Sequence, residues 1–594
     1  MNASAPAPRW SWLPPVGTWK YHALLLGLGM CVLGPLGGVT ASYMNFSLGF
    51  FVGGQVLAGI LGSTVTYGYG PEGKHGANYM QTAAASVASL SAMGVMIQAM
   101  VWMGLPQPPV WQLVLFMLCT GMFAVGVGML YTPLLVDRMQ LTYPSGLAVA
   151  NILRALTDPV LLRKSVARLG GGMAAGIAGG LGSAKIAALG TIELSTSTMG
   201  AGMLVGARIG IPAITSGLIF WALTPWFVSI GWLKEGEPFR KIAFLIALGM
   251  ILGAALIDVA LVLKAAAARL GEKKPADDTP EWKRVNTARL VAWVAFWGVG
   301  VIASSHFVLG QPVGFIAFAL FLVFVFALVN GISVGVCDQN PISSAFVVSV
   351  VLMAALGLKD PITGLFAGMI LLIATNCASD MQQDRSTGWR LGTNRVHQFR
   401  YQVAGIAMGA VAAVVFAKLF MAAYPVLLQD QTVMKASEQP AQWSAAMTYK
   451  VVGVLRSLTD DQPYQRTAIW VGVAFGFVVQ VLRLWLKALP SYQAFIARDR
   501  KGFVTGFVVD AFVLPTPYAF SFGGFVNLPT SLWFGGGGIL SSFLNTIAKP
   551  KAGENGDLPA DMNTTSLVGG GLIAGDSLAA LGLGVAGLLA TVAG

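Results

Sequence analysis

Charge is scarce in this chain of 594 residues: Asp, Glu, Lys and Arg make up 10 % of it, against roughly 25 % in soluble domains. That deficit, with 55 % hydrophobic residues and a mean hydropathy of +0.70, excludes a soluble fold. The repeated alternating segments of ~10 residues that a membrane barrel requires are missing. Cysteine and histidine are sparse as well, with four of each. Cys31, Cys119, Cys337 and Cys377 follow no pairing pattern and lie in or beside apolar segments, so free, buried thiols are expected. His22, His75 and His397 fall near expected segment ends and read as interfacial. His306, after Ser304-Ser305, is the candidate proton relay. Neither His-Glu-x-x-His nor Gly-x-Ser-x-Gly occurs. The run from Gly68 to His75 follows the phosphate-binding loop pattern up to its last position, where His75 replaces the magnesium-holding Ser or Thr. No strand pattern precedes it and Pro71 interrupts it, so it is not read as an ATPase loop. The chain is not expected to be an enzyme, or to hold a metal ion or a cofactor.

What is present is apolar runs of spanning length, recurring from Tyr21 to the C-terminus. They predict an all-α polytopic membrane protein with about 14 to 17 crossings. Shorter, interrupted runs near 144–157, 216–232, 443–457 and 528–546 predict discontinuous or re-entrant helices. Glycine accounts for 73 of the 594 residues, and in membrane helices small residues mark close packing first. The net charge of +12 is no nucleic-acid signal, because the basic residues cluster in short loops near 163–168, 234–241, 264–289, 385–400 and 498–501. Such clusters flank spans on the cytoplasmic side. Residues 1–19 lack the arrangement of a cleaved signal peptide and read as a cytoplasmic tail. A first transmembrane repeat over 20–268, a polar linker over 269–287 and a second repeat over 288–594 follow, with about eight segments in each repeat.

One stretch organises the rest. Val336 to Leu391 opens with Asp338-Gln339-Asn340-Pro341-Ile342-Ser343-Ser344 and closes on Asn376 to Gly388, which holds Asp380, Gln382, Gln383 and Asp384. Two apolar runs, each close to the ~20 residues that cross a bilayer, lie between, broken by Lys359-Asp360-Pro361. If the break is a turn at one surface, the chain goes out and returns, and the two polar clusters lie side by side. Dense polar clusters at membrane depth are costly and mark an ion or substrate path; the plain alternative places both in solvated loops.

The halves resemble each other. Leu153-Arg154-Ala155-Leu156-Thr157-Asp158 recurs as Leu455-Arg456-Ser457-Leu458-Thr459-Asp460, each copy near a Thr-Tyr pair, Thr142-Tyr143 and Thr448-Tyr449. Asn45 is matched by Asn340, and Asn78 and Gln81 by Asn376 and Gln382-Gln383. Glycine-rich helix starts follow late in each half, at 195–202 and 516–524. Repeats in membrane proteins point to transporters, with the substrate near the midplane. Whether the repeats are parallel or inverted is not readable from the sequence.

Neutral polar residues within apolar segments either tie helices together or line a cavity. Asp380 and Asp384 are four residues apart and share a face of any helix they occupy. Carboxylates at membrane depth can carry protons; Arg385 and Arg390 offer the competing reading of a plain structural ion pair. Prolines beside polar or glycine-rich patches mark broken helices, above all Tyr143-Pro144-Ser145-Gly146 and Leu514-Pro515-Thr516-Pro517-Tyr518.

At these residues the chain resembles the oligopeptide transporter (OPT) family, whose relatives include the yellow stripe-like carriers of metal chelates. The resemblance covers nearly the whole length. It rests on Asn78-Tyr79-Met80-Gln81, Leu141 to Gly146, Asn340-Pro341-Ile342-Ser343, Asp380 to Gly388, Phe525 to Ser531 and Gly571 to Asp576. It implies ion-coupled secondary transport, usually with protons, of small peptides, peptide derivatives or metal chelates. Two departures stand out: Gly76-Ala77 and Asn151 occupy positions where the resemblance implies acids, which leaves Asp380 and Asp384 as the acids of the Asp380–Gly388 motif.

The expectation is a secondary active transporter in the cell inner membrane. Asn45, Asn78, Gln81, Tyr143, Ser145, Asn151, Asn340, Ser343, Gln383 and Asn527 would line the substrate cavity, and Asp380 and Asp384 would couple to H+. A carrier of chelates such as siderophores or nicotianamine-like compounds is the alternative substrate class, and a passive channel the alternative mechanism. The lipid bilayer and a small peptide or chelate are the expected partners, and no nucleic acid is. A homo-oligomer is compatible with the sequence, which carries no signal for one.

Overall fold

The computed structural model describes residues 9–47, 54–157, 159–269, 280–338, 340–434, 445–456, 463–547 and 564–593. Most of the polar linker therefore lies outside the described residues, as do Asp158 and the second copy of the repeated motif beyond Arg456. Among the described residues no strand occurs. The chain begins with α1 (Trp19–Leu28), α2 (Gly34–Ser47), α3 (Gly54–Thr66), α4 (Gly73–Ala92), α5 (Val95–Trp102) and α6 (Val110–Thr132). It continues through α7 (Pro144–Thr157), α8 (Pro159–Lys185), α9 (Ala187–Thr191), α10 (Thr196–Val205), α11 (Ala207–Ala222), α12 (Thr224–Ser229) and α13 (Arg240–Arg269). After the linker come α14 (Thr287–Ala303), α15 (Val313–Cys337), α16 (Ile342–Ala355), α17 (Pro361–Leu391) and α18 (Arg395–Ala423). The last helices are α19 (Ala446–Arg456), α20 (Pro463–Ala488), α21 (Pro490–Arg498), α22 (Arg500–Val508), α23 (Pro517–Phe525), α24 (Leu528–Ile547) and α25 (Thr564–Ala593).

Proline opens α7, α8, α17, α20, α21 and α23, because its missing N–H costs nothing in a first turn and its fixed φ suits one. The Lys359-Asp360-Pro361 break does separate α16 from α17, and Asp360 caps α17 by accepting from the N–H groups of Ile362 and Thr363 at 3.2 and 2.9 Å. Eight helices among the described residues are long and apolar enough to cross a membrane, or nine if residues 500–513 and 517–525, bent by 42°, form one span. α7 and α19, at 14 and 11 residues, fall short of the ~20 needed. The spans containing α4 and α17 have 94 % of their most apolar window buried, against 22 % for the span at Arg466–Ala488. The two polar-motif helices are therefore the interior of the bundle and α20 is at its rim.

Several helix contacts fall into similar pairs. α8 lies on α25 as α20 lies on α13; α10 lies on α24 as α23 lies on α11; α18 lies on α4 as α6 lies on α17. α2 and α3 cover α4 as α15 and α16 cover α17. The α8–α25 and α13–α20 seams are glycine zippers. Gly172, Gly176 and Gly180 face Gly571, Gly575 and Ala579, and Gly249 and Gly253 face Gly472 and Gly476. A Cβ at Gly575 would stand 2.0 Å from the Met173 carbonyl oxygen, and one at Gly476 2.0 Å from that of Met250. Without side chains at these positions the backbones meet directly, which is how membrane helices gain packing where no hydrophobic force separates them from lipid.

Candidate functional site

α4 and α17 run antiparallel, and their polar side chains pair along the seam. Asn376 Nδ2 donates to Ser89 Oγ at 2.7 Å. Two turns further along α17, Asp384 Oδ1 accepts from Gln81 Nε2, while Asn78 Nδ2 donates to Gln81 Oε1 at 2.7 Å. α18 closes this end. Gln398 Nε2 donates to Thr82 Oγ1 at 3.1 Å and to the Asp384 carbonyl at 2.7 Å. Asp384 is 1 % exposed, and its Oδ2, like Asn78 Oδ1, has no hydrogen-bond partner among the described residues. Asp380, one turn away on the same face, keeps part of its surface open.

The second component is a broken helix. Between α15 and α16 the chain bends at Asp338, whose φ of 60° is left-handed, and Pro341 prevents the helix from resuming before Ile342. Asn340 Oδ1 accepts from Asn330 Nδ2 at 3.0 Å, and Asn340 Nδ2 donates to Asn376 Oδ1 at 3.3 Å. Asp338 Oδ1 accepts from Gln383 Nε2 at 2.8 Å and from the Ser145 N–H at 3.1 Å; Oδ2 accepts from Ser145 Oγ at 2.5 Å. The first turn of α7 thus meets both the bend and α17. A Cβ at Gly146 would stand 2.7 Å from the Gln383 carbonyl, so only glycine permits this approach.

The two clusters anticipated at the ends of Val336–Leu391 do lie side by side, and Asn78, Gln81, Ser145, Asn340, Gln383, Asp380 and Asp384 come together around them. Tyr143 borders the site but is fully buried, donating its hydroxyl to the Gly331 carbonyl at 3.1 Å. Asn151 is buried further along α7. The Ser343 side chain lies outside the described residues. Asn45 and Asn527 do not join. Asn45 Nδ2 donates to the Ala92 carbonyl at 2.9 Å and ties α2 to the far end of α4. Asn527 caps α24 by accepting from the Thr530 N–H at 3.0 Å and donates to Glu193 at an exposed corner. Asn45→Ala and Asn527→Ala are each expected to lower stability by about 1 kcal/mol with the KM for substrate unchanged. Thermal unfolding beside uptake kinetics checks this, and a KM change in either variant would return that residue to the cavity.

The structural ion pair between the α17 acids and arginines does not form. Arg385, 1 % exposed, donates to Gln398 Oε1 at 2.8 Å, to Gln402 Oε1 at 3.2 Å and to the Arg395 carbonyl at 3.1 Å. Arg390 reaches the Thr142 carbonyl at 2.8 Å and the Ser386 hydroxyl. His306 does not enter the site: it is exposed, and its Nδ1 contacts the Gln311 carbonyl at 2.9 Å in the turn after α14. Sequence reasoning missed Asp338 as a site residue, along with Gln398 and Gln402. The signals were there: an acid two residues before Asn340-Pro341, and two glutamines one turn apart at the start of an apolar run.

The family whose sequence model matches this chain is described as OPT oligopeptide transporter protein, and the match spans residues 19–586. Among curated proteins, one of Haemophilus influenzae, provisionally named an oligopeptide transporter, is 23 % identical over 520 residues, which cover 76 % of this chain and 80 % of the relative.

Proposed function

The chain belongs to the OPT oligopeptide transporter family, and on that premise we propose that it is a proton-coupled secondary transporter of small peptides or peptide-like solutes, working by alternating access in the cytoplasmic membrane. The observation that carries this reading is the buried contact of Gln81 with Asp384, whose second oxygen has no partner among the described residues. An unpartnered buried acceptor costs about 1–3 kcal/mol. A proton or a substrate N–H at that oxygen removes the cost, so the site favours occupancy by a donor. Asp380 and Asp384 are the coupling pair in this scheme. Asn78, Gln81, Asn340 and Gln383 offer amide donors and acceptors that match peptide bonds. Amides and hydroxyls, rather than imidazoles or thiolates, favour an organic solute over a bare transition-metal ion.

Alternating access is supported by the similarly paired helix contacts and by the antiparallel course of α4 and α17, the helices that carry the matched motifs. Equivalent helices that run in opposite senses are what an inverted repeat produces, and such repeats exchange inward- and outward-facing forms about a central site. The basic loop clusters of the sequence favour a cytoplasmic N-terminal tail.

The test is uptake by proteoliposomes under an imposed pH gradient, with di- to pentapeptides run beside iron and nickel chelates. A gradient of about one unit is worth about 1.4 kcal/mol per proton and supports up to about tenfold accumulation. Asp380→Asn is expected to bring that ratio to about one while downhill exchange continues. Unchanged accumulation in Asp380→Asn would remove Asp380 from the coupling scheme. Flux that never saturates with substrate would identify a passive channel.

A further inference from the structure

We propose that Asp338 is a third coupling residue: it latches the first turn of the half-helix α7 to the bend after α15 and to α17, and its neutralisation frees that half-helix to move. The inference rests on the transport reading above and adds to it the element that moves and the group that holds it.

The geometry begins with the backbone. Asp338 stands at φ 60° and ψ 15°, a left-handed conformation that Asp and Asn tolerate better than other side chains. From that bend its carboxylate reaches Ser145, distant in sequence, and accepts from the Ser145 N–H at 3.1 Å and hydroxyl at 2.5 Å, and from Gln383 Nε2 at 2.8 Å. Ser145 is the second residue of α7. Its N–H is one of the first-turn donors that no helical carbonyl can satisfy, at the positive end of the helix dipole. An ionised carboxylate there makes charge-assisted bonds, roughly twice as strong as neutral ones.

Three further ties at the start of α7 are neutral, while the bond from the Arg390 guanidinium to the Thr142 carbonyl just before it is charge-assisted. The Tyr143 N–H and hydroxyl donate to the carbonyls of Gly335 at 2.9 Å and Gly331 at 3.1 Å, and Thr387 Oγ1 donates to the Gly146 carbonyl at 3.0 Å. These contacts do not depend on charge and can act as the pivot; Asp338 is the tie that a proton can break. On α17, Asp380 lies close enough to repel it, with Asp384 one turn beyond. Arg390 reaches the Thr142 carbonyl just before α7, and the phenols of Tyr143 and, on α23, Tyr518 belong to the packed cluster that also holds Val334 and Val336 of α15. Among the described residues no cation makes an ion pair with Asp338. A cationic or proton ligand at Asp380 therefore acts on a latch held only by uncharged donors.

The experiment is hydrogen exchange on the full chain in lipid nanodiscs, reading the backbone amides at residues 145–149, corrected for intrinsic exchange, at about pH 8 and about pH 5. In the wild type these amides are expected to be protected at the higher pH and released at the lower. Asp338→Asn keeps one acceptor oxygen and loses the charge; it is expected to speed their exchange about tenfold to a hundredfold at the higher pH and to abolish the pH response. Wild-type protection with a wild-type pH response in Asp338→Asn would overturn the latch. Should that variant not be recovered folded, Gln383→Leu removes only one of the three bonds and is expected to give an intermediate rate; no change there overturns the proposal equally. Uptake on the same samples separates the two readings. Uphill accumulation lost in Asp338→Asn, with exchange retained, supports the coupling role, and wild-type accumulation refutes it. Amides that respond as expected in a protein that carries no peptide at all would leave the latch standing and defeat the transport reading.

Discussion

Gly575→Leu is expected to leave no folded protein to purify, and Gly476→Leu to do the same at the other seam. A Cβ at Gly575 would lie 2.0 Å from the Met173 carbonyl oxygen and 2.7 Å from the Ile177 nitrogen, both backbone atoms of α8. No rotamer change relieves such a clash, because the obstacle is a main chain and not a flexible side chain. The helices would have to separate along the seam that Gly172, Gly176, Gly571 and Gly575 form. Lipid tails are as apolar as the side chains that would replace the contact, so nothing but packing holds the pair together. Overpacking in a yielding core costs about 1–3 kcal/mol; parting two backbones exceeds that and reaches the exceptional range above about 4 kcal/mol. Gly582, on the same helix, supplies the control, since a Cβ there meets nothing within 4 Å. Gly582→Leu is expected to be recovered and to unfold like the wild type. Size-exclusion profiles and thermal unfolding of the three variants decide the matter, and a monodisperse Gly575→Leu would contradict the close approach of α8 and α25.

The stretch from Val336 to Leu391 was legible because its signals are local. A proline after a polar pair ends a helix wherever it occurs, and amides inside apolar runs need partners at membrane depth. The bend at Asp338, the break at Asp360-Pro361 and the meeting of Asn340 with Asn376 all follow from those rules. What stayed hidden depends on contacts far apart in sequence. Asp338 acquires its role only because α7 delivers Ser145 to it, and nothing near Asp338 names that partner. Asn45 and Asn527 show the converse. Residue type marks an amide in an apolar context without distinguishing a helix tie or a cap from a cavity wall. Asn527, three residues before Thr530 at the opening of α24, carries the pattern of an N-cap, and its side chain accepts from the Thr530 N–H. The supposed pairing of Arg385 with Asp384 fails for a geometric reason. Neighbours in a helix with 3.6 residues per turn point about 100° apart, so Asp384 faces Gln81 on α4 while Arg385 faces Gln398 and Gln402 on α18.

That divergence sets up the second large effect, in Arg385→Met. Arg385 is among the largest fully buried side chains of the protein, and its guanidinium satisfies two glutamine oxygens and the Arg395 carbonyl while lying in the field of the Asp384 carboxylate. Methionine fills the volume but removes the charge. Asp384 then loses only the field of that cation, while the oxygens of Gln398 and Gln402 and the Arg395 carbonyl lose their donor. Each buried acceptor left without its donor costs about 1–3 kcal/mol, and a loss of that order is expected in thermal unfolding of Arg385→Met. The double variant Arg385→Met with Asp384→Asn removes both charges. It is expected to regain the part of that stability that the lost field took, because an amide at 384 can still accept from Gln81 and needs no cation nearby. Additive losses in the double variant would show that the two charges do not sense each other. The rescued double variant has a second use. Its fold no longer depends on a charge at position 384, so failure to accumulate substrate against a gradient, with exchange intact, would tie the missing carboxylate to coupling and not to stability.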